Sequence, residues 1–204
     1  MIEQELAGTL SDSVAMFLTK TVTLSEAERE ELMSAFFAMS EYHGPQVRKR
    51  GQLYVIHPIQ ATTLLLSVGC DLSTAAAALL HDTVEDTHAT LDLVRTRFGE
   101  EIASLVDAVS RDEDSTAPEF FEKIHGAAVR DHRVAMIKLA DQITNLHDHD
   151  QLHFSPEKHL EHLEEMESFY LARLSVLPDV PKVLVESAQR VTAGSWEDYH
   201  SRSK

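Results

Sequence analysis

The chain has 204 residues, 43% of them hydrophobic and 25% charged, with one cysteine, seven glycines and six prolines. That composition supports a buried core and excludes a disordered chain, a disulfide framework and low-complexity material. A formal net charge of −16 argues against a nucleic-acid partner. The longest purely apolar run, residues 75–80, is far short of the ~18 residues a membrane span needs. Glu3 and Glu5 stand where a signal peptide carries bases, so a cytoplasmic location without membrane attachment is expected.

Periodicity is helical almost throughout. Ser25 and Glu28 form a capping box that opens a helix to about residue 42. Residues 43–55 read as a loop, with residues 53–56 able to pair as one arm of a short β-hairpin near residues 50–56. Pro58 suits the first turn of the next helix and Gly69 its end. Ser73 is the expected cap of a helix running through residues 75–85. Thr90 caps another that stops at Gly99, and a further helix covers residues 100–111. The polar stretch 112–118 reads as a mobile loop, followed by helix over residues 119–149. Pro156 starts a helix whose apolar stripe is Leu160, Leu163, Met166, Phe169, Tyr170 and Leu174. Pro178 and Pro181 precede a last helix at 180–204 that is expected to pack on the rest. With neither a repeat nor a linker rich enough to divide it, the chain reads as one all-α domain over residues 1–204.

Charge is distributed unevenly. Acids are 34 of 204 residues, one in six, yet none lies between Glu41 and Asp71, where about five would be expected. That gap holds Arg48, Lys49 and Arg50 in a row. It reads either as a solvated basic turn or as a local anion site on an acidic protein.

His81-Asp82 followed by Glu85-Asp86 ends an apolar run. At helical spacing His81 lies over Glu85, and Asp82 over Asp86. Four ionisable groups at the end of an apolar helix call for a metal, for cations or for water. His-Asp also occurs at 147–148 and 149–150, without that context. His57, in Tyr54-Val55-Ile56-His57-Pro58, enters an apolar helix, and Asp141 interrupts the run Ile137-Lys138-Leu139-Ala140. An acid inside such a run wants a buried partner, and Lys138 and Asn145 share its face; a Lys138–Asp141 surface pair of small worth is the alternative. Together His57, His81, Asp82 and Asp141 make a mixed nitrogen and oxygen set suited to Mn²⁺, Fe²⁺ or Zn²⁺.

These segments resemble the small stand-alone alarmone hydrolases of the HD superfamily, akin to the hydrolase domain of RelA/SpoT enzymes and to the metazoan SpoT homologue. The matching residues are His43-Gly44-x-Gln46-x-Arg48-Lys49, Tyr54-x-x-His57-Pro58, residues 78–87, Phe98-Gly99, and Lys138-Leu139-Ala140-Asp141-x-x-x-Asn145-Leu146, in family order over about residues 25–175. The resemblance implies a single HD-domain helical bundle that hydrolyses the 3′-pyrophosphate of (p)ppGpp or (p)ppApp. It implies one Mn²⁺ on His57, His81, Asp82 and Asp141. Glu85 and Asp86 would serve the attacking water, Glu85 by proton transfer and Asp86 by orientation. Arg48 would stack on the purine, Lys49 would meet phosphates with Arg50 or Lys138 assisting, and Asn145 would contact the sugar. The partner is then a small-molecule purine nucleotide. A homo-oligomer is compatible with the sequence.

Two stretches depart from the family pattern. Residues 50–54 read Arg-Gly-Gln-Leu-Tyr instead of Ser-Gly-Glu-Pro-Tyr. Residues 142–148 read Gln-Ile-Thr-Asn-Leu-His-Asp instead of Arg-Leu-His-Asn-Met-Arg-Thr. The metal set is intact, whereas base and phosphate preference stay open. A phosphatase of another nucleotide such as NADPH and a non-catalytic nucleotide-binding module are the alternatives. The segment 147–162 holds five of the 12 histidines and reads as a solvated amphipathic stretch rather than a second metal site. His43 is expected to support the loop, and Trp196 to anchor packing.

Overall fold

Reciprocal capping boxes start three of the helices. Thr9, Ser25 and Thr116 each accept a backbone N–H from the third residue on, and Asp12, Glu28 and Glu119 reach back to them. The structure, a computed structural model, describes residues 9–48, 51–149 and 155–202. Its helices are α1 (Leu10–Lys20), α2 (Glu26–His43), α3 (Ile56–Ser67), α4 (Leu72–Leu80), the single turn α5 (Thr83–Asp86) and α6 (Leu91–Val109). They continue as α7 (Ala117–Arg130), α8 (His132–His149), α9 (Pro156–Glu165), a π-helical stretch (Met166–Leu174) and α10 (Lys182–Arg202). Among the described residues there is no sheet, and no helix is long and apolar enough to cross a membrane.

Three helices form the centre. Residues 56–65 of α3 and 74–80 of α4 are buried on every face, and α8 buries most of its length from Val134 to Leu146. Helices apolar all round belong inside a bundle. Around them, α1 covers α3, α2 and α6 flank α4, and α7 and α10 lie along α8. The stripe predicted for α9 and its continuation is realised, with Leu163, Met166, Phe169, Tyr170 and Leu174 buried.

Several boundaries differ from expectation, each for a local reason. The cap of α4 is Asp71, whose Oδ1 accepts from the Thr74 N–H at 2.7 Å, not Ser73. The helix expected through residue 85 ends at Leu80, because the Thr83 hydroxyl donates to the Leu80 carbonyl at 2.7 Å and Asp82 adopts φ −94°, ψ −7°. The helix expected over 119–149 is two, parted at Asp131 (φ −145°), whose carboxylate accepts the Arg133 N–H at 3.0 Å. The hairpin near residues 50–56 reduces to one antiparallel bridge, Val47 with Leu53, and Ile56 already belongs to α3. In the stretch expected as a loop, Arg111 donates to the Ser115 carbonyl, and the Lys123 ammonium reaches Asp112 and the Ser110 carbonyl.

Candidate active site

The three central helices each bring ligands to one point. His57 is in the first turn of α3, His81 and Asp82 occupy the break after α4, and Asp141 is midway along α8. His57 Nε2 lies 3.1 Å from Asp141 Oδ1 and 3.6 Å from Asp82 Oδ2. His81 Nε2 lies 3.1 Å from Asp82 Oδ1 and 3.7 Å from Asp141 Oδ1. One ligand atom from each of His57, His81 and Asp141 falls within 4.8 Å of the other two.

The hydrogen-bond network assigns both imidazoles one role. His81 Nδ1 lies 2.7 Å from the Ala78 carbonyl, which can only accept. His57 Nδ1 lies 3.0 Å from Thr144 Oγ1, whose hydroxyl proton is committed to the Asp141 carbonyl at 2.7 Å. Both Nδ1 atoms therefore donate, and both Nε2 atoms present lone pairs to the two carboxylates. His81 Nε2 is fully buried and meets no partner in hydrogen-bond geometry. Four acceptors facing one another demand a cation. Without a metal, a proton fills that need: burial depresses His81, but the charges of Asp82 and Asp141 outweigh it and push its pKa up to about 10. Burial holds His57 below its ordinary value, with Arg48 adding to the effect. Burial works against the ionisation of Asp82 and Asp141, yet His81 and Lys138 respectively hold them below the usual carboxylate range. His57, His81 and Asp141, which share one point, thus fit a divalent cation, whose binding requires them deprotonated, and Asp82 lies beside both imidazoles.

Glu85 and Asp86 both reach solvent, on the short turn α5. Burial by the surrounding walls pushes the Glu85 carboxyl up, partly offset by the backbone N–H of Arg111. Glu85 borders an open cavity of about 650 Å³ whose far wall is Ser110, Arg111 and Asp112. Although the helix breaks at residue 81, the Asp86 N–H still donates to the Asp82 carbonyl at 2.9 Å, so Asp82 and Asp86 share a face as expected.

The acid-free segment lies beside this centre. Arg48 donates to Asn145 Oδ1 at 2.9 Å, and Asn145 donates in turn to Asp141 Oδ1 at 2.8 Å. Lys49 and Arg50 lie outside the described residues, as do the side chains of Asp148 and His149 and residues 150–154. Lys138 is not on the surface: it is 6% exposed, bonds Asp141 Oδ2 at 2.6 Å and sits over the Phe120 ring. His43 supports the loop as expected, bonding Gln46 at 2.8 Å and stacking on Tyr54. In the histidine-rich segment, His159 is buried against Ser195 Oγ at 2.7 Å rather than solvated, and burial holds His162 at about 4. Trp196 ties α10 to the π-helical stretch, its indole N–H donating to Glu167 at 2.9 Å.

Sequence reasoning assigned no role to Tyr54 or Thr144. The Tyr54 hydroxyl lies 2.7 Å from Asp82 Oδ2 and 2.6 Å from Asp86 Oδ2, and burial together with the Asp82 charge keeps the phenol protonated. Thr144 follows Asp141 by three residues, and Tyr54 precedes His57 by three. Helical spacing from a candidate ligand was the available signal.

Comparison with known proteins shows what the chain is similar to. A family model described as "HD domain" matches residues 35–177. Over 133 residues the chain is 38% identical to a guanosine-3′,5′-bis(diphosphate) 3′-pyrophosphohydrolase of Aquifex aeolicus (strain VF5), a match over 63% of this chain and 19% of the relative. The bifunctional (p)ppGpp synthase/hydrolase SpoT of Escherichia coli (strain K12) is 37% identical over 130 residues, 60% of this chain and 18% of that protein. The chain therefore matches under a fifth of the length of these relatives. The solved structure of a metazoan ortholog of SpoT that hydrolyzes ppGpp superposes with a TM-score of 0.70 at 25% identity, covering 80% of this chain and 94% of that one. A Listeria monocytogenes EGD-e structure, lmo0812, shares the fold at a TM-score of 0.58 and 22% identity, over 70% of this chain and 96% of that one.

Proposed function

Because the chain belongs to the HD-domain family, whose members bind divalent metals, we propose that it is a manganese-dependent hydrolase acting in the cytoplasm as one hydrolase domain. Its substrates are purine nucleotides carrying a 3′-pyrophosphate, (p)ppGpp or (p)ppApp. The observation that carries this reading is the convergence of His57, His81, Asp82 and Asp141 with both Nδ1 atoms committed as donors. The names of the relatives supply the substrate class.

A divalent cation on these four side chains supplies Lewis-acid activation of water near neutral pH. In the reaction, water oxygen joins the proximal phosphorus, the bond from that phosphorus to ribose O3′ breaks, and O3′ gains a proton as pyrophosphate departs. Glu85 is the proton carrier: its raised pKa and its solvent exposure three residues from Asp82 suit a carboxylate that accepts and returns a proton. Asp86 orients the water. Arg48, partly buried and anchored on Asn145, offers a planar cation for a purine face. Lys49, next in the sequence, would meet the phosphates, and Asn145 the sugar. Lys138 serves the phosphates through Asp141, since its ammonium is already engaged there.

The test is turnover of ppGpp, ppApp and NADPH by Mn²⁺-loaded protein with product analysis. Pyrophosphate release from an alarmone is expected. Orthophosphate release from NADPH alone, or nucleotide binding without turnover, would replace this reading.

A further inference from the structure

Asp82 caps the turn α5, yet its carboxylate makes no capping bond to that turn's own N–H groups. An aspartate at this position ordinarily turns onto the second or third N–H that follows. Here it faces away, with Oδ1 toward His81 and Oδ2 toward the Tyr54 hydroxyl at 2.7 Å. The same hydroxyl lies 2.6 Å from Asp86 Oδ2. One phenol thus joins a ligand carboxylate of the candidate metal centre to a carboxylate beside the reacting water. It also supplies the only proton between them, since ionised carboxylates only accept.

The tyrosine is itself held from several directions. Its ring stacks on His43, with centroids 4.5 Å apart and planes 19° apart, and the Arg48 guanidinium lies 5.6 Å from its centroid. Its N–H donates to the Gln46 carbonyl at 2.9 Å across the Val47–Leu53 bridge, and its carbonyl accepts the His57 N–H at 3.0 Å. The side chain therefore cannot swing away without disturbing the loop that carries Arg48. On the opposite side of the centre, the Asn145 amide holds Asp141 and takes a bond from Arg48. Each carboxylate ligand is thus tied to Arg48 through one intermediary, Tyr54 for Asp82 and Asn145 for Asp141.

We propose that Tyr54 is a positioning residue whose hydroxyl orients Asp82 for the cation and Asp86 for the water, and ties both to the Arg48 loop. This inference rests on the hydrolase reading above. Outer partners of metal ligands typically contribute 10–100-fold to affinity or activity, because they remove the freedom of the ligand to turn. Without the hydroxyl, Asp82 is free to turn onto its own helix, and two carboxylates face each other with no donor.

Tyr54→Phe keeps the ring and its stacking and removes only the hydroxyl. We expect its Mn²⁺ dissociation constant, measured by electron paramagnetic resonance titration, to rise about tenfold. We expect kcat to fall about tenfold or more, while the nucleotide KM stays within about twofold. The double variant Tyr54→Phe/Asp86→Ala should lose less in kcat than the product of the two single losses, because the two changes share the Tyr54–Asp86 contact. Wild-type Mn²⁺ affinity and kcat in Tyr54→Phe overturn the proposal. So does a loss confined to KM, a fully additive double variant, or a lowered thermal midpoint with metal affinity and kcat per folded molecule unchanged. If the unaltered chain hydrolyses no alarmone, the functional reading falls, while the Mn²⁺ titration still decides the role of Tyr54.

Discussion

Lys138 offers the sharpest energetic prediction. Lys138 and Asp141 are 6% and 4% exposed, and ammonium and carboxylate meet at 2.6 Å. Replacing Lys138 by Met keeps most of the aliphatic length and deletes the charge. In metal-free protein this takes from the buried Asp141 carboxylate its lysine partner, leaving it the Gln142 and Asn145 amides, and breaking a buried pair costs about 3–5 kcal/mol. For a chain of this size 1 kcal/mol moves the midpoint by roughly 2–4 °C, so metal-free Lys138→Met should melt on the order of 10 °C below the unaltered protein. Saturating Mn²⁺ supplies another cation to Asp141, and the deficit should shrink to under about half. The assay is calorimetry of both proteins with chelator and with Mn²⁺, alongside nucleotide kinetics. An equal deficit in both conditions would refute the placement of Asp141 on the cation. A rise in KM with no stability change would show Lys138 acting on phosphates directly.

Three further outcomes follow from the same geometry. Glu85→Gln should keep full Mn²⁺ binding and lose about 10²–10⁴-fold in kcat, and wild-type turnover would remove Glu85 from proton transfer. Arg48→Ala should chiefly raise KM, since its contacts bear on nucleotide binding; a change confined to kcat would contradict that role. His162 is held at about 4, by burial first and by the nearby Lys158 charge second, so the unfolded chain binds its proton more readily. Its contribution is complete above about pH 6.5 and is lost as pH falls toward 4. With its edge still reaching water, about 1–2 kcal/mol is at stake. Chelator-treated His162→Gln should show a shallower acid loss in urea denaturation than the unaltered chain, and parallel pH curves would refute the assignment.

Much of this was legible in the chain, and the exceptions have physical causes. The three ligand-bearing stretches stood out because a polar residue inside an apolar run is costly unless partnered. Helix existence followed from periodicity, but breaks did not. The ends at Leu80 and Asp131 come from side chains that compete with backbone bonds, through Thr83 on the Leu80 carbonyl and Asp131 on the Arg133 N–H. Helix α1 was passed over although Thr9 and Asp12 form a capping box, because Asp stands in place of the usual Glu or Gln. Lys138 looked exposed because its cover, Phe120, arrives from α7. Tyr54 and Thr144 each stand three residues from a candidate ligand, but their roles depend on contacts 28 and 87 residues away, which that spacing does not specify.

The central claim is that one divalent ion sits among His57, His81, Asp82 and Asp141. Metal analysis of Mn²⁺-loaded, desalted protein beside its Asp82→Ala variant tests it most directly. The account predicts about one equivalent in the unaltered chain and loss of both ion and turnover in the variant. An unaltered chain without bound metal, or a fully loaded Asp82→Ala, would contradict it.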